Sequence, residues 1–272
     1  MIAQPSGICN NHAPRGRLGE DGLGTKGVLL AGLLLWPALF AAGTSQAGER
    51  QRVDMELLLA VDVSHSISED EHRLQIAGIA AAFRSSALIE AIASRGKGRI
   101  AVAVMFWAGT EQQVLAVPWQ VVDGPQSAAR LAAAITRNDS KPWPGVSYTA
   151  IGSALLRAAD AIEANAYDAP RLVVDLSADD PSNQGIAAEE ARDRLVARGI
   201  VVNGLPILTN RQEMEDKEAL VQHFEQDVSG GDGAFVIPAE SFHDVPRAIL
   251  SKLITEVAGL APPPARLAGA LR

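Results

Sequence analysis

From residue 53 onward the chain alternates between short runs that are apolar throughout and longer stretches in which apolar residues recur every third or fourth position. Residues 55–63 (MELLLAVDV) form the first continuous run. Runs of this length are strands covered on both faces, as in parallel sheets. Residues 69–93 follow as a predicted helix. Glu69, Asp70 and Glu71 crowd its first turn, where the helix dipole favours negative charge, and Leu74, Ala77, Gly78 and Ala81 keep helical spacing. Residues 99–107 and 113–122 read as two strands around Ala108-Gly109-Thr110. So short a connection makes a hairpin, and one of the pair therefore runs antiparallel.

Residues 127–137 form a short Ala-rich helix, and residues 138–148 a loop marked by Pro142, Pro144 and Gly145. The clearest helix is 149–164, with Ile151, Ala154, Leu155, Ala158, Ala159 and Ile162 as its apolar stripe. A buried strand at 171–177 precedes a helix at 185–198 that Gly199 closes. Then come a strand at 200–208, a polar-faced helix at 211–228 and a short strand at 234–238. The last helix, 242–258, carries Leu250, Leu253, Ile254 and Val257 on one face. Pro262, Pro263 and Pro264 open a tail, residues 261–272, expected to be disordered. This order of elements predicts an α/β fold: a doubly wound, mostly parallel sheet with one antiparallel strand. No internal repeat or linker interrupts it, so residues 48–260 are expected to form one domain.

The first 47 residues have a different character. Arg15, Arg17 and Lys26 precede an uncharged run at 28–42, and Ser45-Gln46-Ala47 places small residues where a signal peptidase cuts. A membrane span needs about 18 or more apolar residues, which this run does not reach. The expectation is an export signal cleaved after Ala47, with a retained anchor as the alternative, and either places the remainder outside the cytoplasm, periplasmic or extracellular. The lone cysteine, Cys9, falls in that segment, so the mature chain has no disulfide and no cysteine-based zinc site. Lys plus Arg number 24 against 32 Asp plus Glu, a formal charge of −8. That balance argues against a nucleic-acid binder, which needs a basic face.

Open α/β sheets bind ligands beyond the carboxyl ends of their strands. The residues expected there are Asp62-Val63-Ser64-His65-Ser66, Ser147-Tyr148-Thr149 and Ser177-Ala178-Asp179-Asp180. They offer carboxylates and hydroxyls, no thiol and one histidine. This hard, all-oxygen set suits Mg²⁺ or Mn²⁺ better than zinc or copper. Asp62, Ser64 and Ser66 alternate, so an extended exit from the strand turns them one way and turns His65 the other. A divalent ion held by two carboxylates and neutral hydroxyls is only just neutralised. It readily accepts a further carboxylate from a partner, and the set holds no spare general base apart from those carboxylates.

Asp62-x-Ser64-x-Ser66, Thr149 and Asp179 resemble the metal-ion-dependent adhesion site (MIDAS) of von Willebrand factor type A domains, whose sheet is Rossmann-like. Thr149-Ala150-Ile151-Gly152-Ser153-Ala154-Leu155 is similar to that family's Thr-x-x-Gly-x-Ala-Leu helix start. Residues 203–207 (NGLPI) and 233–236 (GAFV) look like a little-studied bacterial branch, a domain of unknown function carried on exported proteins. The resemblance spans residues 53–258. It implies one Mg²⁺ or Mn²⁺ gathered by Asp62, Ser64, Ser66, Thr149 and Asp179, directly or through water, and a protein partner whose carboxylate completes the shell. The family usually has glycine after the last aspartate. Here Asp180 stands there, either as a further ligand or as an obstacle to a partner. Ser147 competes with Thr149 for the hydroxyl role, and the Gly152 and Ala154 spacing favours Thr149.

The same residues have plainer uses. Ser66 or Ser68 would cap the helix beginning near Glu69, with Glu71 closing a capping box on Ser68. Thr149 would cap the next helix. His72, His223 and His243 keep no ligand spacing, and Trp107, Trp119 and Trp143 suit packing. Residues 145–149 lack the last glycine of a nucleophile elbow, and no Gly-rich phosphate loop follows the first strand. The expected function is therefore an exported, non-enzymatic binding protein. A metal-assisted phosphoester hydrolase and a metal-free scaffold stand as alternatives.

Overall fold

The computed structural model describes residues 49–209 and 213–259. The expected signal at 1–47 and the tail at 261–272 lie outside them. In chain order the elements are β1 (Gln51–Arg52), β2 (Met55–Asp62), α1 (Glu69–Arg84), α2 (Ser86–Ala93), β3 (Ile100–Trp107), β4 (Gln113–Val122), α3 (Pro125–Thr136), α4 (Ile151–Glu163), β5 (Tyr167–Asp168), β6 (Leu172–Ala178), α5 (Ala188–Val196), β7 (Ile200–Pro206), α6 (Met214–His223), a π-helical turn (Phe224–Val228) and α7 (Val245–Ala258).

Five strands make the main sheet in the order β4-β3-β2-β6-β7. β2, β3, β6 and β7 run parallel, and β4 alone is antiparallel, to β3, as the tight connection after Trp107 requires. The β3–β4 register shifts around Val104, beside Pro118 on β4. β2 and β3 are buried at all eight positions, which is why they read as unbroken apolar runs.

Successive side chains along these strands feed two cores, one on each face. Leu57, Leu59, Val61, Val102 and Val104 meet α1, α2, α3 and α7 on one side. Leu58, Ala60, Met105, Val174 and Leu176 meet α4, α5 and α6 on the other. Each fully buried aliphatic side chain contributes roughly 1.5–3 kcal/mol.

Three elements differ from the sequence expectation. The helix expected over 69–93 breaks at Ser85, whose extended backbone (φ −69°, ψ 128°) separates α1 from α2 by a 54° bend. The apolar stripe continues across the bend because both pieces pack on the same core. The polar helix expected to reach Val228 ends at His223 and widens into the π turn, which carries buried Phe224 against Gly204 of β7. A Cβ on Gly204 would lie 2.6 Å from the Phe224 ring. The segment expected as a strand at 234–238 runs beside β7 through single bridges, Gly204 to Val236 and Ile207 to Ala239.

Candidate metal site

Three loops meet beyond the carboxyl ends of the parallel strands. The first leaves β2 at Asp62, which is fully buried. One Asp62 oxygen, Oδ1, accepts the Ser64 backbone N–H at 2.7 Å, a local turn that curls residues 62–66 back over the strand end. Ser64 Oγ lies 3.0 Å from Ser66 Oγ, and Ser66 Oγ donates to Asp179 Oδ1 at 2.8 Å. Thus Asp62, Ser64, Ser66 and Asp179 are linked in one chain of contacts between the ends of β2 and β6. Ser68 completes the capping box with Glu71, its Oγ accepting the Glu71 N–H at 3.3 Å and its own N–H donating to Glu71 Oε2 at 2.8 Å. The helix cap therefore falls to Ser68, and Ser66 turns to the carboxylates. His65 is exposed, on a turn where an extended segment was expected.

Thr149 is buried just before α4. Its backbone N–H donates to Asn183 Oδ1 at 2.8 Å, and its carbonyl accepts the Asn183 N–H at 2.9 Å. These bonds tie Thr149 to the loop that carries Asp179. The His65 N–H donates to the Val146 carbonyl at 2.8 Å, which ties the second loop to the first. Gly152 lets α4 approach this corner: a Cβ there would sit 2.3 Å from the Ile186 carbonyl oxygen.

Lys141 had no signal in the sequence beyond being a cation in a proline-marked loop. It is 9% exposed, and its Nζ donates to the Ser64 carbonyl at 2.6 Å and to the Ile67 carbonyl. It braces the first loop from beneath. Asn183, the clamp on Thr149, was likewise missed, since an Asn after Asp-Pro-Ser reads as an ordinary turn residue.

The electrostatics follow from burial. Desolvation, then the neighbouring Asp179 charge, holds the Asp62 carboxyl well above the ordinary carboxylate range. Asp179 is pushed up to about 6, chiefly by burial, with Asp180 adding repulsion and the Ser66 hydrogen bond opposing both. Asp62 Oδ2 is buried with no hydrogen-bond partner among the described residues. An unmatched buried carboxylate oxygen is costly, and a cation is the group that satisfies it. Two carboxylates with two serine hydroxyls, and Thr149 at the same corner, form a hard oxygen set that fits a small divalent ion. Among the described residues no three His, Cys, Asp or Glu side chains gather around one point, so any such ion leans on hydroxyls. Next to Thr149 lies an open groove of about 570 Å³, lined by Thr110, Gln112, Val146, Ser147, Tyr148 and Gln184 among others. Tyr148 is half exposed in it.

A doubly wound sheet with this loop set at its carboxyl edge is a von Willebrand factor A-like fold, and solved structures agree. Proximal thread matrix protein 1 from the mussel byssus matches with a TM-score of 0.55 and 16% identity, over 78% of this chain and 50% of that one. A form of that protein with a zinc-occupied MIDAS motif matches with a TM-score of 0.54 and 16% identity, over 78% of this chain and 50% of that one. The pilus adhesin SpaC from Lactobacillus rhamnosus GG matches with a TM-score of 0.52 and 13% identity, over 78% of this chain and 32% of that one. The chain thus spans half or less of the length of these proteins. No curated protein matches it significantly. A family model described as a protein of unknown function (DUF1194) matches residues 52–261, and the chain belongs to that family.

Proposed function

We propose that this protein is an exported, non-enzymatic binding protein that captures an acidic group of a protein partner through a divalent ion. Asp62, Ser64, Ser66, Thr149 and Asp179 would hold the ion, Mg²⁺ or Mn²⁺ by the hardness of the set. The observation that carries this reading is the buried, unpartnered Oδ2 of Asp62 beside the Ser64–Ser66–Asp179 chain. Folding leaves a buried carboxyl oxygen there without a donor, and the Ser66 hydroxyl donates to Asp179 at the same corner. The ion would supply a Lewis-acidic position open to one more oxygen. The protein's part is to hold the loops: Lys141 fixes the first, and Asn183 fixes Thr149 to the third.

The matrix and adhesin proteins with a similar fold support a binding role, and the zinc-occupied MIDAS of one supports a metal of this charge. Export is supported by the character of residues 1–47. The groove beside Thr149 gives a partner surface to enter while its carboxylate reaches the ion.

Isothermal calorimetry of residues 48–272 with Mg²⁺ and with Mn²⁺, on wild type and Asp62→Ala, tests the reading. Saturable binding by the wild type, lost in a variant with unchanged circular dichroism, is the expected result. Equal heats in the two proteins would overturn it.

A further inference from the structure

A second polar cluster lies within the fold, away from the loops just described. Asp175 sits mid-strand on β6, and Lys252 of α7 reaches it with Nζ 3.0 Å from Oδ1. Asn203 of β7 donates from Nδ2 to Asp175 Oδ1 at 3.2 Å and to Glu256 Oε2 at 2.5 Å. Glu256 in turn takes Arg171 Nε on Oε1 at 2.5 Å. Asp175, Asn203, Lys252 and Glu256 are all buried, Lys252 to 2% exposure and Glu256 to 1%. A small cavity of about 30 Å³ adjoins them, lined by Asp175, Ser177 and Lys252 together with aliphatic side chains.

We propose that Lys252 and Asp175 join as an intramolecular amide between Lys252 Nζ and Asp175 Cγ, a covalent staple from α7 to the central sheet. The ammonium proton passes to the carboxylate, giving amine and carboxylic acid. The nitrogen lone pair attacks Cγ, the Cγ–O bond breaks, and the departing oxygen leaves as water with one proton from the acid and one from the attacking nitrogen. No oxidant, reductant or second substrate enters.

Four features of the cluster favour this step. The reacting groups are already in contact, so the reaction is unimolecular, and intramolecular placement is worth a large effective concentration. Burial disfavours the charged pair and pulls the Lys252 amine below its ordinary range, against the Asp175 and Glu256 charges. Asn203 Nδ2 donates to Asp175 Oδ1, the oxygen Lys252 also touches, and so draws electron density from the carboxyl carbon under attack. The adjoining cavity exceeds the ~10–15 Å³ that one water needs, so the released molecule has a place to go. Charge matching also survives: the amide removes Lys252 and Asp175 as one neutralised pair and leaves Glu256 with Arg171. Glu256, one turn beyond Lys252, accepts from Asn203 on Oε2 and so positions that donor against Asp175. With Cys9 its one cysteine, the chain has no internal disulfide.

The full-length protein, expressed, purified and denatured, is digested and mapped by mass spectrometry. The expected result is a branched pair of peptides carrying Asp175 and Lys252, lighter than their sum by one water. In Lys252→Met the Asp175 peptide returns to its linear mass, and in Glu256→Gln the linked fraction falls by more than half. Recovery of the wild-type Asp175 and Lys252 peptides as separate, unmodified species overturns the proposal. Because the decisive digest is of wild-type protein, a variant that fails to fold does not blunt it.

Discussion

Two single residues carry the same electrostatic burden, a buried carboxyl, at the two ends of one strand. At one end of β2 lies Asp62. At the other, Glu56 is buried and accepts Asn165 Nδ2 at 2.5 Å. Burial raises the Glu56 carboxyl above its ordinary 4.5, against the Asn165 hydrogen bond and the Arg50 charge. A raised carboxyl binds its proton more tightly folded than unfolded, so its contribution is present below 4.5 and is lost as the pH rises through the folded value. Glu56→Gln keeps an acceptor for Asn165 and removes the charge. It is expected to raise the thermal midpoint by a few degrees at pH 7 and to leave it unchanged at pH 4; thermal melts at both values check this. At this scale the sequence was only partly readable. Asp62, Ser64, Ser66 and Asp179 meet beyond the strand ends, but residues 62–66 form a turn and not the extended exit that alternation assumed. Lys141 and Lys252 gave no local sign, because each meets its partners only after the chain has folded back over distant segments.

Elements were more legible than contacts, because a strand covered on both faces must be apolar along its length and a helix must repeat at 3.6 residues. The bend at Ser85 was hidden, since a break that keeps both pieces on one core does not disturb the stripe. Asp175 was hidden inside LVVDLSA for a related reason: one buried charge among six other residues does not change a strand's period. The start of α4 shows how an element positions chemistry. Gly152 lies where any side chain meets the 186–187 backbone, and that backbone continues from the loop bearing Asp179 and Asn183. Gly152→Ala must push this loop away or tilt α4. It is expected to cost about 1–3 kcal/mol, as overpacking does, and to weaken Mn²⁺ binding as Thr149 loosens. Urea unfolding and calorimetry on the same protein check the two effects. A variant as stable as wild type would show that the corner yields without strain.

For the molecule as a whole, the two cores make the sheet a rigid floor, while the loops above it hold repelling carboxylates. Folding therefore leaves the proposed metal corner as a local debit that a bound cation relieves. A ligand that binds only the folded state stabilises it by about 2.7 kcal/mol at a hundredfold excess over its dissociation constant. Millimolar Mn²⁺ is expected to raise the thermal midpoint of the wild type by several degrees and to leave Asp62→Ala unmoved. Scanning calorimetry with and without chelator measures it, and a rise of equal size in both proteins would assign the effect to other surfaces.

The margins of the sheet limit how another chain can meet it. On one border Pro118 removes a backbone donor from β4 and the ladder slips around Val104. On the other, the segment near Val236 lies along β7 and bonds to both backbone groups of Gly204, to the Pro206 carbonyl and, just past the strand, to the Leu208 N–H. A foreign strand would therefore find the β7 flank taken at Gly204, Pro206 and Leu208, and on the other flank a donor missing at Pro118.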